Sequence, residues 1–99
     1  MVGTLVYIPL NKPASHVVSL PLGATLEDAN VYAADLMDAE PPLVVHEIDS
    51  DIKAFTLVQD GMYDYNLAVT YAIENMLGVK VALEGPVVLC MLPQELLSR

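Results

Sequence analysis

The chain has 99 residues, of which 55% are hydrophobic, and 13 acidic against 4 basic side chains give a formal net charge of −9. This length and apolar content suit one domain with its own core. The shortage of Lys and Arg argues against direct binding of nucleic acid or of an anionic membrane, because both need clustered cations. The longest apolar run is far shorter than the roughly 20 residues of a membrane helix, so we expect a cytosolic protein.

The first half of the chain predicts a hairpin followed by a helix. Val2 to Leu10 is rich in β-branched and aromatic residues, which predicts a strand. After a proline-containing turn, His16 to Leu22 predicts a second strand that pairs with the first. Thr25 precedes an amphipathic run from Leu26 to about Ala39 and can cap a helix there, with Asp28 in the capping-box position.

The second half predicts another hairpin and another helix. Leu43 to Ile48 and Ile52 to Val58 are two apolar runs joined by a short acidic turn, which indicates paired strands. The helix that follows should end at Gly78, because glycine adopts the left-handed conformation of a helix end without strain. Its predicted core face follows helical spacing and comprises Tyr65, Ala68, Val69, Ala72, Ile73 and Met76.

The last apolar segment should hold the centre of the fold. Val87 to Leu92 contains no charged side chain, and a strand that is apolar on both faces belongs inside a sheet. Whether Val79 to Leu92 forms one strand or a hairpin stays open, because Glu84 to Pro86 interrupts it. The element order is ββαββα followed by one or two strands. This order predicts a single α+β domain over residues 1–99, with two helices packed on a mainly antiparallel sheet.

Residue types that perform catalysis or bind metals are few and scattered. His16 and His46 are the only histidines. They would meet only if the two hairpins lay side by side, so we interpret them as residues of strand surfaces. Cys90 stands between apolar neighbours, which predicts an inert buried thiol rather than a nucleophile. The glycines are isolated and form no phosphate-binding loop. We therefore expect a non-enzymatic protein without a cofactor or a metal.

An acidic face on the first predicted helix is the main functional feature. At about 100° per residue, its acids lie opposite its apolar side chains. No Lys or Arg stands between Lys12 and Lys53, so the acids lack the oppositely charged neighbours that often support a soluble helix. The face is either simply solvated or a site for a basic partner, and both interpretations stay open. The acids concerned are Glu27, Asp28, Asp35 and Asp38.

A second feature is the aromatic segment before the second helix. Met62 and Tyr63 lie beside Tyr65 in this segment, and tyrosine and methionine are enriched at protein interfaces. The alternative is that Tyr65 belongs to the core stripe of the helix and that Met62 fills the loop beneath it. We expect Tyr65 in the core and take Met62 and Tyr63 as candidate interface anchors.

The chain resembles, in general character, the small acidic proteins encoded by phages and other mobile elements. The short length, the charge of −9 and the lack of an enzyme motif prompt this comparison. The segments Asn66 to Thr70 and Glu84 to Leu89 are candidate signatures of such a family. No named family is matched, so the resemblance implies a phage or mobile-element setting and carries over no functional residue.

The leading hypothesis is a small interaction protein that binds and inhibits a basic, nucleic-acid-handling host protein, in part by imitating the charge of a nucleic-acid backbone. One alternative is a small-molecule-binding module with a pocket between the sheet and a helix. The other is a structural protomer that forms a homodimer through an uncovered sheet face. For the leading hypothesis the partner-binding residues are Glu27, Asp28, Asp35, Asp38, Met62 and Tyr63.

Overall fold

The computed structural model describes residues 3–10, 16–57 and 64–91. These residues form a five-stranded antiparallel sheet with strand order β2-β1-β5-β4-β3, together with two helices. The α+β prediction and the order ββαββαβ are confirmed. Within the described residues, the first three strands are shorter than the apolar runs that predict them. The elements are β1 (Thr4–Ile8), β2 (His16–Ser19), α1 (Leu26–Leu36), β3 (Val44–Glu47), β4 (Ile52–Thr56), α2 (Leu67–Leu77) and β5 (Val87–Met91).

The last strand occupies the middle of the sheet, as its composition predicts. β5 pairs with β1 on one side and with β4 on the other. Four of its residues, from Val87 to Cys90, are at most 1% exposed. The segment from Val79 to Leu83 lies outside the sheet. Of the two alternatives for this part of the chain, the described residues therefore form one strand rather than a hairpin.

The two helices pack on opposite faces of the sheet. Successive side chains of a strand point to opposite faces, and β5 divides its side chains accordingly. Val88 and Cys90 share a core cluster with alanines of α1. Val87 and Leu89 share a second cluster with residues of α2. Among the described residues, the sheet therefore carries one helix on each face, and β2 and β3 are its edge strands.

Both ends of α1 are defined by local hydrogen bonds. Thr25 is its N-cap, and a capping box is present with Asp28, as predicted. The helix ends at Leu36, earlier than the predicted Ala39, because the chain turns there into a left-handed residue. The N–H of Ala39 donates to the carbonyl of Ala34 at 2.9 Å, and Asp38 has φ 53°. This hydrogen bond and backbone angle define a Schellman motif, in which glycine is the usual residue at the position of Asp38.

The start of α2 corrects the predicted core stripe. Asn66 is the N-cap of α2, so Tyr65 precedes the helix and is 57% exposed. The prediction that Tyr65 belongs to the core is therefore wrong. Met76 is also exposed, whereas Val69 and Ile73 are fully buried. The helical spacing identified the centre of the buried stripe and overestimated its width.

Candidate interaction surface

The outward face of α1 combines acidic and apolar side chains. Glu27, Asp28 and Asp35 are exposed, as the amphipathic pattern predicts. Between them along the helix, Val31 is 53% exposed and Tyr32 is 44% exposed. A surface that mixes exposed aromatic and aliphatic side chains with charge is more typical of an interface than a purely charged face is. We call this surface, from Glu27 to Asp35, the α1 face.

Asp38 does not lie on the helix, although the sequence analysis placed it there. It is exposed, but it follows the C-cap Met37 and carries the left-handed backbone of the helix ending. Aspartate tolerates this conformation better than most residues other than glycine and asparagine. The side chain therefore stands beyond the last turn of α1, and a substitution there would alter backbone strain as well as charge.

Asp28 has a structural role in addition to its charge. Its carboxylate Oδ2 accepts a hydrogen bond from the backbone N–H of Thr25 at 3.0 Å. In return, the hydroxyl of Thr25 accepts one from the N–H of Asp28 at 3.1 Å. These reciprocal bonds satisfy two backbone donors at the helix start. Glu27 and Asp35 are therefore the acids of the α1 face whose charge can be changed without disturbing a cap.

An apolar groove of about 640 Å³ lies between α1 and the edge strand β3. It was not predicted from the sequence, because it depends on how the turn after α1 places the following residues against the helix. Most of the lining side chains are apolar, and Glu27 places one carboxylate among them. The wall from the helix consists of Leu26, Glu27, Asn30 and Val31, and the other wall consists of Pro41, Pro42 and Val45.

Asn30 fastens α1 beside this groove. Its side-chain amide donates to the carbonyl of Leu43 at 3.1 Å and accepts from the N–H of Leu43 at 2.7 Å. Asn30 is 9% exposed and Leu43 is 5% exposed. This contact was not predicted from the sequence, where its only signal is a polar residue among apolar ones on the inward side of an amphipathic helix.

The first lysine that follows these acids in the sequence is withdrawn from the surface. Lys53 is 8% exposed, and its Nζ donates to the carbonyls of Asp49 and Ser50 at 3.1 and 3.3 Å. These bonds place the ammonium inside the turn between β3 and β4. Because no other Lys or Arg occurs between Lys12 and Lys53, the described part of the α1 side carries predominantly negative surface charge.

The two candidate anchors cannot be added to this surface. Met62 and Tyr63 lie outside the described residues. Their neighbour Tyr65 is exposed beside the start of α2, and Leu67 and Tyr71 are 59% and 60% exposed on that helix. Since α1 and α2 cover opposite faces of the sheet, this second apolar stripe is separate from the acidic α1 face.

Asn66 is the second buried asparagine that sequence reasoning missed. It is fully buried, and its amide nitrogen donates to the carbonyls of Ile8 and Gly85 at 3.0 and 2.9 Å. Its Oδ1 accepts from the N–H of Val69 at 3.3 Å. One side chain thus caps α2 and joins it to the end of β1 and to the loop before β5. An asparagine directly before an apolar helical run is a recognisable N-cap signal.

The two histidines lie on different strands, and the cysteine is buried. The sheet order places His16 and His46 on opposite edge strands, so the two histidines do not meet. His46 Nε2 lies 2.8 Å from the hydroxyl of Thr56. The predicted burial of Cys90 is confirmed, and this burial raises the pKa of its thiol to about 11, although the charge of Lys53 acts in the opposite direction. In the parts of the chain that are described, no group of three or more possible metal ligands converges.

Two further observations complete the description. Within residues 3–10, 16–57 and 64–91, no helix is both long and apolar enough to cross a membrane. Comparisons with protein-family models, with curated proteins and with solved structures give no match for this chain.

Proposed function

We propose that this protein is a small, cytosolic, non-enzymatic interaction protein that binds a basic partner through the α1 face and the adjoining groove. In its sharpest form, the partner is a host protein that handles nucleic acid, and the acids compete with the nucleic-acid backbone. A phage or mobile-element origin would suit this role.

The observation that carries the proposal is the position of the groove. Apolar side chains of α1 and β3 line it, Glu27 stands in its wall, and exposed acids continue along the helix to Asp35. An apolar centre beside charged groups resembles the core and rim of a protein interface. Negative charge around that centre would attract a basic partner and repel an acidic one.

A binding experiment with matched variants tests this function. The protein is titrated against purified basic nucleic-acid-binding proteins and against equally basic proteins that do not bind nucleic acid. The Glu27→Gln/Asp35→Asn variant removes two charges from the α1 face and leaves both caps intact. The Asp64→Asn/Glu74→Gln variant removes two charges elsewhere on the chain and serves as the control.

The expected result is binding that weakens with salt, weakens strongly in the first variant and persists in the second. At physiological ionic strength, charges beyond about 8 Å from the partner are largely screened, so only a local effect separates the two variants. Competition by duplex DNA would support the nucleic-acid-handling partner. Equal binding by both variants would refute the role of the α1 face, and salt-independent binding would refute its electrostatic part.

The volume of the groove favours a small-molecule site as the second candidate. Ligand pockets commonly enclose about 300–1,000 Å³ and are mainly apolar with a few polar groups, and the groove has about 640 Å³. The carboxylate of Glu27 would select a neutral or cationic ligand. A metabolite that raises the melting temperature of the wild type but not of Val31→Asp would support this candidate. A screen without such a ligand would remove it.

A further inference from the structure

The outer edge of β3 directs backbone groups away from β4 in a defined pattern. In an antiparallel pair, residues alternate between those that exchange hydrogen bonds with the partner strand and those whose backbone groups point away. The N–H of Ile48 donates to the carbonyl of Ile52, and the register pairs His46 with Ala54 and Val44 with Thr56. The alternation therefore directs the N–H and C=O groups of Val45 and Glu47 outward.

Asn30 independently confirms which backbone groups face outward. It bonds both the N–H and the C=O of Leu43, which stands two residues before Val45 and shares its direction. The side-chain amide offers one acceptor and one donor to the same residue, as a neighbouring strand would. Asn30 thus occupies the first position of this edge, and the next two, at Val45 and Glu47, have no partner among the described residues.

We propose that β3 binds an extended, basic segment of the partner as an added strand along Val45 and Glu47, with one apolar side chain of that segment in the groove. Residues opposite each other in a sheet share a face, so the side chain opposite Val45 points to the α1 side. Val45 is 38% exposed and lines the groove. Strand addition supplies affinity through the backbone and specificity through alternate side chains.

The charge of the surroundings selects a basic segment over a second copy of this chain. Glu27 stands in the groove wall, Glu47 is exposed on the same side of the sheet as Val45, and the chain carries −9 overall. Two copies joined along β3 would bring these like charges together, which is destabilising. A segment with Lys or Arg two residues from its groove-filling side chain would place cations next to both acids. This inference rests on the proposed function.

The probe is the capped heptapeptide Thr-Lys-Thr-Val-Thr-Lys-Thr, which carries valine and the lysines on one face. Its affinity is measured from amide chemical shifts of the full chain. We expect the Val45 and Glu47 amides to shift and to gain protection from hydrogen exchange. N-methylation of the peptide valine removes the N–H that faces β3 and should weaken binding about tenfold or more, whereas N-methylation of the threonine beside it should not.

Two variants of the protein test whether the peptide binds the β3 edge rather than the β2 edge. Val45→Pro removes an outward N–H without breaking a bond to β4, which edge strands tolerate. Val17→Pro does the same at the β2 edge. The N–H of Leu20 donates to the carbonyl of Gly3, so the alternation along β2 directs the N–H of Val17 away from β1. We expect Val45→Pro to abolish peptide binding and Val17→Pro to retain it.

The outcomes separate this inference from the proposed function. Full binding by Val45→Pro, shifts confined to the β2 edge, or equal binding of the two N-methylated peptides would overturn strand addition at β3. If a basic protein still binds through Glu27 and Asp35 in that case, the proposed function survives alone. If the Glu27→Gln/Asp35→Asn variant also binds unchanged, both proposals fail. Protection of Val45 and Glu47 that rises with protein concentration without peptide would assign the edge to a second copy instead.

Discussion

The two helices are fastened to opposite faces of one sheet by the same residue type in different ways. Asn66 stands at the start of α2, is fully buried, and joins three parts of the chain. Asn30 lies within α1, is 9% exposed, and bonds a single residue beside the groove. Asn66 is shielded from water and ties α2 to two other segments of the chain. Asn30 borders the surface for which we propose a function.

The C-terminal ends of the helices differ in a parallel way. The chain leaves each helix through a left-handed residue, which is Gly78 after α2 with φ 71° and Asp38 after α1 with φ 53°. Glycine adopts this conformation without strain, whereas aspartate does so at some cost. The α1 side therefore retains a charged residue at a position where glycine would be more stable.

The largest expected effect follows from breaking the α2 anchor. Asn66→Ala removes two hydrogen bonds to buried carbonyls and a helix cap, so we expect a loss of roughly 4 kcal/mol in the free energy of unfolding. Asn66→Asp keeps the capping oxygen but loses both donors, and it should be no more stable than the alanine variant. Urea unfolding measures both, with Asn75→Ala on the exposed side of α2 as the near-neutral control. Wild-type stability of Asn66→Asp would show that the donated bonds do not hold α2.

A pH titration probes the core under α1. Desolvation raises the pKa of Cys90 from 9.0 to about 11, although the charge of Lys53 acts to lower it. In the unfolded chain the thiol loses its proton at lower pH, so ionisation favours unfolding. Stability should be unaffected by Cys90 below pH 9.0 and should fall by roughly 2–3 kcal/mol as the pH rises to about 11.

The Cys90→Ala variant isolates this contribution from that of other groups. Its absolute stability will be lower because of the lost packing, so only the slope of stability against pH is compared. The slope above pH 9.0 should be shallower than in the wild type. The native thiol should also resist alkylation. Parallel slopes, or rapid alkylation of the folded protein, would contradict a protonated buried Cys90.

Breaking the α1 anchor should have a smaller effect than breaking that of α2. Asn30→Ala removes two hydrogen bonds, but water in the adjoining groove can replace them at Leu43. We therefore expect a loss of about 1–2 kcal/mol. Asn30→Asp keeps the acceptor and should fall between the alanine variant and the wild type. Urea midpoints measure the series. A loss of stability as large as that of Asn66→Ala would show that water cannot replace the bonds of either asparagine.

The smallest expected effects lie at the two helix ends. Gly78→Ala should destabilise by about 1 kcal/mol through backbone conformation alone, because an added Cβ would lie within 4 Å of no described residue other than its chain neighbours. Asp38→Gly should stabilise by about 0.5 kcal/mol by relieving the left-handed strain. Asp38→Asn removes the charge and keeps a residue that tolerates this conformation, so it is the control. A destabilising Asp38→Gly would show that the aspartate side chain contributes more than its strain costs.

The local elements of the fold could be predicted because local patterns specify them. The apolar run from Val87 identified the central strand, Thr25 and Asp28 identified a capping box, and Gly78 identified the end of α2. Errors arose where packing set the limits. Tyr65 has helical spacing but precedes the N-cap, and Asp38 has helical spacing but follows the C-cap. Periodicity reports the direction of a side chain within an element and does not report where tertiary contacts end that element.

The candidate site was predictable only in part for the same reason. The exposure of Glu27, Asp28 and Asp35 followed from amphipathicity, since charged side chains on one helical stripe avoid the core. The groove and the hydrogen bonds between Asn30 and Leu43 could not be predicted, because both depend on the geometry of the turn that follows α1. Met62 and Tyr63 stay a prediction as interface anchors.

The sequence by itself determined the composition of the core, the negative charge, the order of strands and helices, and the central position of β5. Hydrophobic periodicity and capping residues act over a few positions, so they are legible in the chain. Only the tertiary structure decided that β5 inserts between β1 and β4, that the helices lie on opposite faces, and that β3 is an edge strand beside an apolar groove. These features depend on contacts between distant segments, whose pairing the burial of each segment alone does not specify.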